Sequence, residues 1–505
     1  MTLVQKNKAV FLDRDGNMIH DCGAITSKEQ VIFYDGVFTS LKKLQDLGYK
    51  LFVISNQMCI ATNDATVEEV NKVNDYIAQE LQKHNINICE WYICPHHSED
   101  NCQCRKPKTH FIDQAVKDYN LNLAKSFIIG DHPSDVLTAK DNDMTGLYVL
   151  TGHGALHLPE LDANELVFHN LNTAVDWIVK HPNSIEDLQE EIHEGARRLK
   201  AGEAVALPTE TVYGLGADVF NVDAVKSIFT IKGRPTNNPL IVHVANYEQV
   251  KYLTAEIPEI AQKLMDAFWP GPLTIILSKL DIVPDFVTAG NPTVAIRMPN
   301  NRWALKLIEE ADTPLAAPSA NAFGCTSPTT AEHVTAQLKN QCMVIDGGAS
   351  RVGVESTVIT LTEGTPKILR FGGITQEQIA EVIGEVTSGE NKVHRNFESP
   401  GMLAGHYAPD TELVICQDVD ECLQNYNSED YALMLFEPNS GVESRNVVIL
   451  SDEGNLAEAA VKLYATMRYL DTLGCKKIIT HKFPNYGLGL AINDRLKRAE
   501  TGSKK

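Results

Sequence analysis

The sequence predicts an α/β protein with about three domains, based on its length, its apolar content and its alternation of strand-like and helix-like segments. The chain has 505 residues, of which 43% are hydrophobic and 22% charged, whereas domains typically span about 100–200 residues. We expect a doubly wound parallel sheet over residues 1–180, a mixed α/β domain over 185–390 and a small α/β domain over 411–505. A polar stretch with Pro and Gly over 391–410 is expected to link the last two.

Composition and charge exclude several classes of protein. The net charge of -21 argues against a protein whose whole surface binds nucleic acid, although a local basic cleft is compatible with it. No apolar run approaches the roughly 18 residues that span a bilayer, and Met1–Lys8 lacks the apolar stretch of a signal peptide. The 11 cysteines are unevenly placed, unlike a disulfide framework. These features predict a cytoplasmic protein without membrane contact.

Strand-like and helix-like segments alternate in the N-terminal part of the chain. The predicted strands are Ala9–Leu12, Leu51–Ser55, Phe127–Gly130 and Leu147–Leu150, and the predicted helices are Phe38–Leu47, Val67–Lys83 and Phe111–Tyr119. This alternation is typical of a parallel sheet with helices on both faces. Such sheets bind ligands at the carboxyl ends of their strands, where acidic residues follow two of these runs.

The C-terminal part has a simpler pattern of the same kind. Four short runs are predicted as strands, and they flank one long helix: Glu412–Cys416, Tyr431–Phe436, Asn446–Leu450 and Lys477–Ile479, with the helix at Leu456–Leu473. Residues Thr501–Lys505 are expected to be a frayed tail.

Polar residues at the predicted N-terminal strand ends, together with a lysine in a loop, are the components of a phosphoryl-transfer site. They comprise Asp13, Asp15, Ser55, Lys106, Asp131 and Asp135. In such a site one carboxylate attacks phosphorus, Mg²⁺ and a lysine neutralise the phosphate, and a second carboxylate transfers the proton. Asp13 and Asp15, two residues apart, can converge on one Mg²⁺. Any one of these residues would more often be an ordinary loop residue, but four segments at successive strand ends favour catalysis.

A second cluster of candidate ligands lies between the predicted strands Leu51–Ser55 and Phe127–Gly130. Cys94, His96, Cys102 and Cys104 lie within 11 residues and supply three thiolates and one imidazole, with His97 as the competing imidazole. This is the donor set of a closed tetrahedral Zn²⁺ site, so the zinc would be structural. It would fix the loop that carries Lys106. Buried free thiols are the alternative, which this density of ligands disfavours.

Residues 7–155 resemble the haloacid dehalogenase superfamily, and within it the histidinol-phosphate and heptose bisphosphate phosphatases. The motifs that carry the resemblance are Asp13-Arg14-Asp15-Gly16, Ser55-Asn56, Arg105-Lys106-Pro107, Gly130-Asp131 and the zinc loop. The resemblance implies that Asp13 is the nucleophile that accepts the phosphoryl group and that Asp15 is the general acid/base. Ser55 and Lys106 would bind the phosphoryl oxygens, and the implied Mg²⁺ ligands are Asp13, Asp15 and Asp131. The implied imidazole of the zinc site is His96 rather than His97.

The N-terminal segment departs from the family pattern at Asn17 and over residues 58–62. The second departure lies in a loop that usually helps to select the substrate, so the phosphomonoester is not identified by the resemblance. A zinc-stabilised scaffold without turnover is the alternative to an active phosphatase.

The middle of the chain collects cations and hydroxyls beside Gly and Pro turns. The cations are Lys232, Arg234, Arg297 and Arg370, and the hydroxyls are Thr211, Ser319, Ser327, Ser356 and Thr357. Arginine binds phosphate or carboxylate bidentately and lysine acts as a point charge. The pattern therefore predicts an anion-binding cavity in an otherwise acidic protein, although any single cation would more often lie on a solvated surface.

Residues 190–385 resemble the YrdC family of threonylcarbamoyl-AMP synthases, and the continuation to about residue 500 resembles the longer, two-domain form of that family. The motifs that carry the resemblance are 208–216, 232–235, 238–243, 269–272, 295–299, 317–321, 353–357, the linker motifs 399–402 and 406–409, and the C-terminal signature 487–492. Phe371 and Ala322 are small departures from the family pattern.

This second resemblance implies a reaction in which L-threonine, bicarbonate and ATP form threonylcarbamoyl-AMP and pyrophosphate. The implied ATP ligands are Arg234, Asn238, Ser319, Asn321, Ser327, Arg370 and Tyr407, and the implied threonine ligands are Thr211, His243, Arg297 and Ser356. Lys232 and Arg234, together with Mg²⁺, would stabilise the charge that develops on phosphorus. The linker near His406 and Tyr407 would close over the nucleotide.

The same resemblance implies a downstream partner. A separate transferase would attach the threonylcarbamoyl group to the adenosine next to the anticodon of certain tRNAs. The competing hypothesis is a binding module, in which the basic cavity holds double-stranded RNA or tRNA and catalysis is absent.

Overall fold

The computed structural model describes residues 6–362, 364–389, 405–442 and 444–504, and it confirms the α/β class. The chain divides into two units, Met1–Gln189 and Glu190–Lys505. The predicted middle and C-terminal domains thus lie in one unit, and the three predicted domain boundaries stay a prediction. No helix in these described stretches combines the length and the apolar character that crossing a membrane requires.

The first unit contains a six-stranded sheet in the order β3-β2-β1-β4-β5-β6, with every described pair parallel. Its strands are β1 (Ala9–Leu12), β2 (Lys50–Asn56), β3 (Ile88–Cys94), β4 (Phe127–Gly130), β5 (Thr145–Val149) and β6 (Leu166–Phe168). Its helices are α1 (Val37–Asp46), α2 (Val67–Lys83), α3 (His110–Tyr119), α4 (Pro133–Lys140), α5 (Gly154–His157) and α6 (Leu171–Lys180).

The order of this sheet brings the predicted catalytic segments together. β1 lies between β2 and β4, so the carboxyl ends of these three strands are adjacent. The chain leaves β1 on one side for β2 and later returns on the other side as β4, which makes this the topological switch point of the sheet. All four residues of β1 are buried, as expected for a strand covered by helices on both faces.

The second unit contains a mixed ten-stranded sheet in the order β13-β7-β8-β12-β9-β11-β10-β14-β15-β16. Its strands are β7 (Val205–Leu207), β8 (Gly214–Asp218), β9 (Ile241–His243), β10 (Leu273–Ser278), β11 (Thr293–Arg297), β12 (Leu315–Ala316), β13 (Met343–Val344), β14 (Thr357–Thr360), β15 (Lys367–Arg370) and β16 (Thr387–Ser388). The helices up to this point are α7 (Ile185–Lys200), which contains the division between the units, α8 (Val222–Lys232), α9 (Tyr247–Leu253), α10 (Glu259–Phe268), α11 (Asp285–Thr288), α12 (Arg302–Ala311), α13 (Ala331–Leu338) and α14 (Gln376–Ile383).

Strand ends of this sheet place several predicted anion ligands. Arg297 is the last residue of β11 and pairs in register with His243, the last residue of β9. Arg370 is the last residue of β15, and Thr211 lies in the turn between β7 and β8. The mixed class predicted for this region is therefore confirmed.

The second unit also contains a smaller parallel sheet in the order β17-β20-β18-β19. Its strands are β17 (Leu413–Cys416), β18 (Tyr431–Leu435), β19 (Val447–Ile449) and β20 (Lys477–His481), and its helices are α15 (Val419–Tyr426), α16 (Leu456–Asp471) and α17 (Leu488–Ser503). The four predicted strands and the long helix are present, with small shifts at their ends.

The prediction of a frayed tail is wrong for Thr501–Ser503. Helix α17 continues to Ser503, whose hydroxyl is buried and accepts a hydrogen bond from the backbone N–H of Leu413 at 3.0 Å. Gly502 lies so close to Gly405 that a Cβ added to Gly502 would lie 2.9 Å from the Gly405 carbonyl oxygen. The last turn of α17 therefore contacts the first strand of the small sheet and is part of its core.

Truncation after Glu500 is expected to destabilise the second unit. The truncated chain leaves the buried N–H of Leu413 without its acceptor, which costs about 1–3 kcal/mol of unfolding free energy. Urea unfolding checks this, with removal of Lys504 and Lys505 alone as the control. Among the described contacts, Lys504 has a single ion pair, with Glu500 at 3.5 Å, and its side chain is 56% exposed. Equal unfolding free energies for the two truncations would contradict the assigned role of Ser503.

Candidate functional sites

The first site is a group of carboxylates at the switch point of the six-stranded sheet. Asp13 and Asp131 follow β1 and β4, and Asp135 lies in the first turn of α4, with one oxygen of each within 4.8 Å of the others. Burial and the charge of Asp13 raise the pKa of Asp131 well above its ordinary value. A divalent cation relieves such repulsion, and carboxylate oxygens are the ligands that Mg²⁺ prefers. The residues present therefore fit a Mg²⁺ ion.

Glycine is required where the chain turns after Asp15. Gly16 has a φ of 71°, and a Cβ added there would lie 2.0 Å from Asp131 Oδ2. The turn thus brings the segment after β1 into close contact with the segment after β4. This approach explains why a glycine follows the two acidic residues.

Lys106 is a buried cation inside this carboxylate group. Its Nζ lies 3.0 Å from Asp13 Oδ2 and 2.6 Å from Asp135 Oδ1, and it donates to the carbonyl of Ile54 at 2.9 Å. Although burial favours the neutral amine, the charges of Asp13 and Asp135 raise the pKa of Lys106. The side chain is therefore a fixed positive charge beside the predicted nucleophile.

The group formed by Asp13 and Asp131 contains Asp135 and not Asp15, whose place among the Mg²⁺ ligands stays a prediction. Asp15 accepts hydrogen bonds from Nε and Nη2 of Arg14, both at 2.9 Å, and from Gln57 Nε2 at 2.8 Å. These donors hold both oxygens of Asp15 outside the group formed by the other carboxylates. The role of Asp15 in proton transfer stays a prediction, and its fixed orientation is compatible with it.

Two residues that the sequence reasoning missed organise this part of the site. Arg14 is fully buried and orients Asp15, while Gln57 also donates to Ser55 Oγ at 2.8 Å. Gln57 therefore links the two predicted catalytic side chains Ser55 and Asp15. Asn17, a departure from the family pattern, donates to the backbone carbonyls of Asp13 and Ile129 at 3.2 and 3.0 Å.

The four predicted zinc ligands lie together beyond the end of β3. The Sγ atoms of Cys94, Cys102 and Cys104 lie 3.4–3.7 Å apart, and His96 Nδ1 lies 3.7 Å from Cys94 Sγ and 3.3 Å from Cys104 Sγ. Two thiolates bound to one tetrahedral Zn²⁺ at about 2.3 Å lie about 3.8 Å apart, so the donor set fits zinc. His97 lies outside this group of four ligands, and its Nδ1 accepts a hydrogen bond from the backbone N–H of Glu99.

The zinc loop contacts the segment that carries Lys106. Arg105 Nη1 donates to the carbonyl of His96 at 3.3 Å, and Lys108 Nζ donates to the carbonyl of Cys102. These contacts are the expected result if the loop fixes the position of Lys106.

The second site is a cavity in the second unit with an empty volume of about 550 Å³, part of which is open to solvent. Most of the predicted ligands line it, namely Thr211, Arg234, His243, Arg297, Ser319, Ser356, Arg370 and Tyr407. The structure therefore brings together side chains from distant parts of the sequence, as the resemblance implied.

The side of the cavity near β9 and β11 has one fixed cation. Arg297 Nη1 donates to Thr211 Oγ1 at 2.8 Å, and Arg297 Nη2 lies 2.7 Å from Glu210 Oε2. Burial and the charge of Arg297 lower the pKa of His243 to about 3. His243 is therefore uncharged at neutral pH, which leaves Arg297 as the cation for an anion on this side.

Two more guanidinium groups, those of Arg234 and Arg370, line the same cavity. Arg370 donates through Nε and Nη2 to the carbonyl of Ser356 at 3.1 and 2.9 Å, and Arg234 Nη2 donates to the carbonyl of Pro239 at 2.9 Å. Burial lowers the pKa of Arg234 to about 10, so it stays charged at neutral pH. Within the described residues, Arg234 Nε is buried without a hydrogen-bond partner.

Four predicted ligands lie outside the cavity lining: Lys232, Asn238, Asn321 and Ser327. Lys232 Nζ donates to the backbone carbonyls of Ser319 and Asn321, so it holds the loop that carries Ser319 rather than contacting the cavity. Ser327 Oγ donates to Glu355 at 2.7 Å. Asn238 has a buried amide without a hydrogen-bond partner among the residues that the structure describes.

The predicted lid is described only in part. The motif at 399–402 lies outside the described residues, whereas His406 and Tyr407 line the cavity. Ala408 pairs with the loop after Phe323, since its N–H donates to the carbonyl of Gly324 at 2.9 Å. The segment that begins at Gly405 thus forms one wall of the cavity.

The sequence reasoning also missed a carboxylate in the cavity wall. Glu355 lines the cavity and accepts hydrogen bonds from Tyr464 OH at 3.0 Å and from Arg495 Nε at 2.8 Å. Glu355 belongs to the motif at 353–357, but Tyr464 and Arg495 are far along the chain and nothing in their local sequence indicates burial. The contact could therefore be found only in the folded chain.

Three protein-family models match the chain. The Sua5/YciO/YrdC model, described as telomere recombination, matches residues 197–372, and the threonylcarbamoyl-AMP synthase C-terminal domain matches residues 374–501. A HAD-hydrolase-like model matches residues 103–174.

Curated relatives and solved structures agree with this division. The threonylcarbamoyl-AMP synthase of Pyrococcus abyssi is 42% identical over 333 residues, which cover 62% of this chain and 97% of the relative. The crystal structure of P. abyssi Sua5 complexed with L-threonine matches with a TM-score of 0.58 at 42% identity, covering 62% of this chain and 94% of that one. The D-glycero-beta-D-manno-heptose-1,7-bisphosphate 7-phosphatase of Helicobacter pylori is 37% identical over 177 residues, covering 35% of this chain and 99% of the relative.

The matches to the synthases and the heptose bisphosphate phosphatase each span almost the full length of the relative. The two family models that describe the second unit follow one another directly, and the hydrolase model lies in the first unit. The chain therefore belongs to the threonylcarbamoyl-AMP synthase family in its two-domain form, preceded by a haloacid dehalogenase-like phosphatase domain.

Proposed function

We propose that the second unit forms threonylcarbamoyl-AMP and pyrophosphate from L-threonine, bicarbonate and ATP. The observation that carries this proposal is the cavity lined by Arg234, Arg297 and Arg370 in a chain of net charge -21. Three buried guanidinium groups around one cavity suit a carboxylate on one side and a polyphosphate on the other. The L-threonine in the complex of P. abyssi Sua5 agrees with the first of these ligands.

The geometry suggests how each group takes part. Arg297 would bind the carboxylate of threonine, with Thr211 beside it at 2.8 Å. The amine of threonine would lose a proton and bond to the carbon of CO₂ from bicarbonate, which gives a carbamate. A carbamate oxygen would then attack the α-phosphorus of ATP, and the bond to pyrophosphate would break.

The remaining cations would act on the phosphates. Arg234 and Arg370 would neutralise the charge on the triphosphate and on the pentacoordinate transition state, and this needs no covalent step on the protein. Enclosure matters because a carbamate decomposes readily in water. His406 and Tyr407, which form one cavity wall, would limit the access of water.

Pyrophosphate release tests this function. We expect release from ATP that requires both threonine and bicarbonate. Salt-sensitive binding of double-stranded RNA or tRNA without threonine-dependent pyrophosphate would instead favour the binding module. A product that forms would be passed to a separate transferase acting on tRNA.

We infer that the first unit is a Mg²⁺-dependent phosphomonoester phosphatase. Asp13 would attack phosphorus and form an aspartyl phosphate, Lys106 would bind the phosphoryl oxygens, and Asp15 would protonate the leaving oxygen and later activate water. Mg²⁺ held by Asp13, Asp131 and Asp135 would neutralise the phosphoryl group. The contact between Lys106 and Asp13 at 3.0 Å supports this reading.

A sugar phosphate is the substrate class that the H. pylori relative suggests. Phosphate release from a panel that includes sugar monophosphates and bisphosphates tests the proposal. Because residues 58–62 depart from the family pattern, a substrate outside the sugar bisphosphates would change the substrate class without changing the assigned chemistry. Absence of turnover across the whole panel would favour a zinc-stabilised scaffold.

We also propose that Cys94, His96, Cys102 and Cys104 bind one structural Zn²⁺. Replacing Cys104 with Ser is expected to lower the zinc content measured by mass spectrometry and the midpoint of thermal unfolding of the first unit. The reason is that metal binding free energy stabilises the folded state. Cys22, which is exposed, provides the control as Cys22→Ser. Zinc content unchanged by Cys104→Ser would contradict the site.

A further inference from the structure

Side chains from the C-terminal helices hold a carboxylate in the wall of the anion-binding cavity. The carboxylate of Glu355 accepts three hydrogen bonds, from Ser327 Oγ at 2.7 Å, from Tyr464 OH at 3.0 Å and from Arg495 Nε at 2.8 Å. Tyr464 lies on α16 and Arg495 lies on α17, both of which pack on the small parallel sheet. Glu355 is therefore a direct connection between the cavity and the C-terminal part of the chain.

A carboxylate in this position opposes the binding of an anion. Although burial favours the neutral acid, the charges of Arg495 and Arg370 and the Ser327 hydroxyl lower the pKa of Glu355 to about 2. Glu355 is therefore ionised at neutral pH. Its negative charge would repel a triphosphate in the same cavity unless a cation neutralises it.

Arg495 is the cation that the structure places against this charge. Its side chain is 0% exposed, and its guanidinium lies over the ring of Tyr407 at 5.3 Å. Arg495 Nη1 also donates to Asp494 at 2.8 Å, but Asp494 is shared with Arg498 at 3.0 Å. The charges thus alternate along this chain of contacts, and Arg495 neutralises Glu355.

Close backbone packing connects two walls of the cavity to the helices that carry Tyr464 and Arg495. A Cβ added to Gly353, two residues before Glu355, would lie 2.2 Å from the carbonyl oxygen of Ala460 on α16. A Cβ added to Gly405, two residues before Tyr407, would lie 3.5 Å from Gly502 on α17. Both walls of the cavity are therefore in contact with the C-terminal helices.

Buried apolar side chains continue this contact. Val212, Val354 and Tyr407 belong to the same hydrophobic core as the inner faces of α16 and α17. The cavity wall and the C-terminal core thus share side chains.

We propose that Arg495 is a positioning residue for ATP: by neutralising Glu355 it keeps the cavity positive, which makes α17 a functional part of the nucleotide site. This inference rests on the proposed synthase function, in which the cavity binds ATP. Without Arg495, the uncompensated charge of Glu355 would offset the positive charge of Arg370 where the triphosphate binds.

Three variants separate neutralisation of charge from a merely structural role. Arg495→Met removes the cation, Arg495→Lys keeps a positive charge, and Glu355→Gln with Arg495→Met removes both charges of the pair. The dissociation constant of ATP is measured by calorimetry without threonine, and circular dichroism checks the folding of each variant. Lys497→Met, which removes an exposed cation from the same helix, is the matched control.

We expect Arg495→Met to raise the dissociation constant of ATP by about tenfold or more, because Glu355 loses its ion-pair partner and its charge then offsets that of Arg370. Arg495→Lys, the double variant and Lys497→Met are expected to stay within about threefold of the parent, since none of them leaves Glu355 as an uncompensated charge. A double variant that binds ATP as weakly as Arg495→Met would overturn the inference, because the defect would then not depend on charge.

Three further cases are also decisive. If Arg495→Met does not fold, a folded double variant that binds ATP as tightly as the parent supports the inference, and one that binds about tenfold more weakly overturns it. If the parent binds ATP but forms no threonine-dependent product, the synthase function fails while the dissociation constants still test Arg495. If the parent does not bind ATP, both the synthase function and the proposed role of Arg495 are contradicted.

Discussion

Asp13→Asn is expected to abolish the release of phosphate from phosphomonoesters by the first unit, with a loss on the order of 10⁴-fold or more in turnover. Asparagine keeps the shape of the side chain but is not a nucleophile for phosphorus. It also removes the charge that lies 3.0 Å from Lys106 Nζ. The measurement is phosphate release from the best substrate of the panel, in the presence of Mg²⁺.

Asp46→Asn is the matched control for this prediction. Asp46 is 60% exposed and pairs only with Lys42 on the surface of α1 among the described contacts, so turnover should be unchanged. Pyrophosphate formation by the second unit should be unchanged in Asp13→Asn. Phosphate release by Asp13→Asn at the parental rate would show that another group attacks phosphorus.

Arg234→Ala is expected to reduce threonine-dependent pyrophosphate release by about 10²–10³-fold. Arg234 is a buried cation of the cavity, and within the described residues its Nε has no hydrogen-bond partner. Its loss removes charge from the predicted triphosphate site, so both the affinity for ATP and turnover should fall. The measurement is the rate of pyrophosphate release at saturating threonine over a range of ATP concentrations.

Arg445→Ala is the corresponding control. The side chain of Arg445 is 91% exposed and lies in the loop before β19, where it pairs with Glu429 at 3.9 Å. Its removal should change neither activity. Turnover of Arg234→Ala close to that of the parent, in a folded protein, would exclude Arg234 from the reaction.

The sequence predicted most of the first unit because its signals are local. β1 and β4 have the predicted bounds, and α2 begins where expected because Thr66 and Glu69 form a capping box. The acids that follow these strands are close in space because parallel strands end at the same edge of a sheet. The orientation of Asp15 away from Asp13, Asp131 and Asp135 was not predictable, because it depends on hydrogen bonds from Arg14 and Gln57.

In the second unit the sequence predicted the cations but not their neighbours. Charge and turn residues indicated Arg234, Arg297 and Arg370, all of which line the cavity. The orientation of Lys232 toward backbone carbonyls depends on the position of the loop after β12, which only the folded chain shows.

The contact between Glu355 and Arg495 shows a further limit of sequence reasoning. These residues are separated by 140 positions, and a buried arginine has the same local signature as an exposed one. The expected frayed tail is wrong for a related reason, since the polar sequence at Thr501–Ser503 gave no sign that α17 packs against β17.

The most direct test of the account is product identification with ¹³C-bicarbonate. The purified chain is incubated with L-threonine, ATP, Mg²⁺ and the labelled bicarbonate, and the products are analysed by mass spectrometry. We expect threonylcarbamoyl-AMP that carries one labelled carbon, together with an equal amount of pyrophosphate. Pyrophosphate without a labelled adenylate, or no threonine-dependent product from folded protein, would contradict the claim that the arginine-lined cavity joins threonine to ATP.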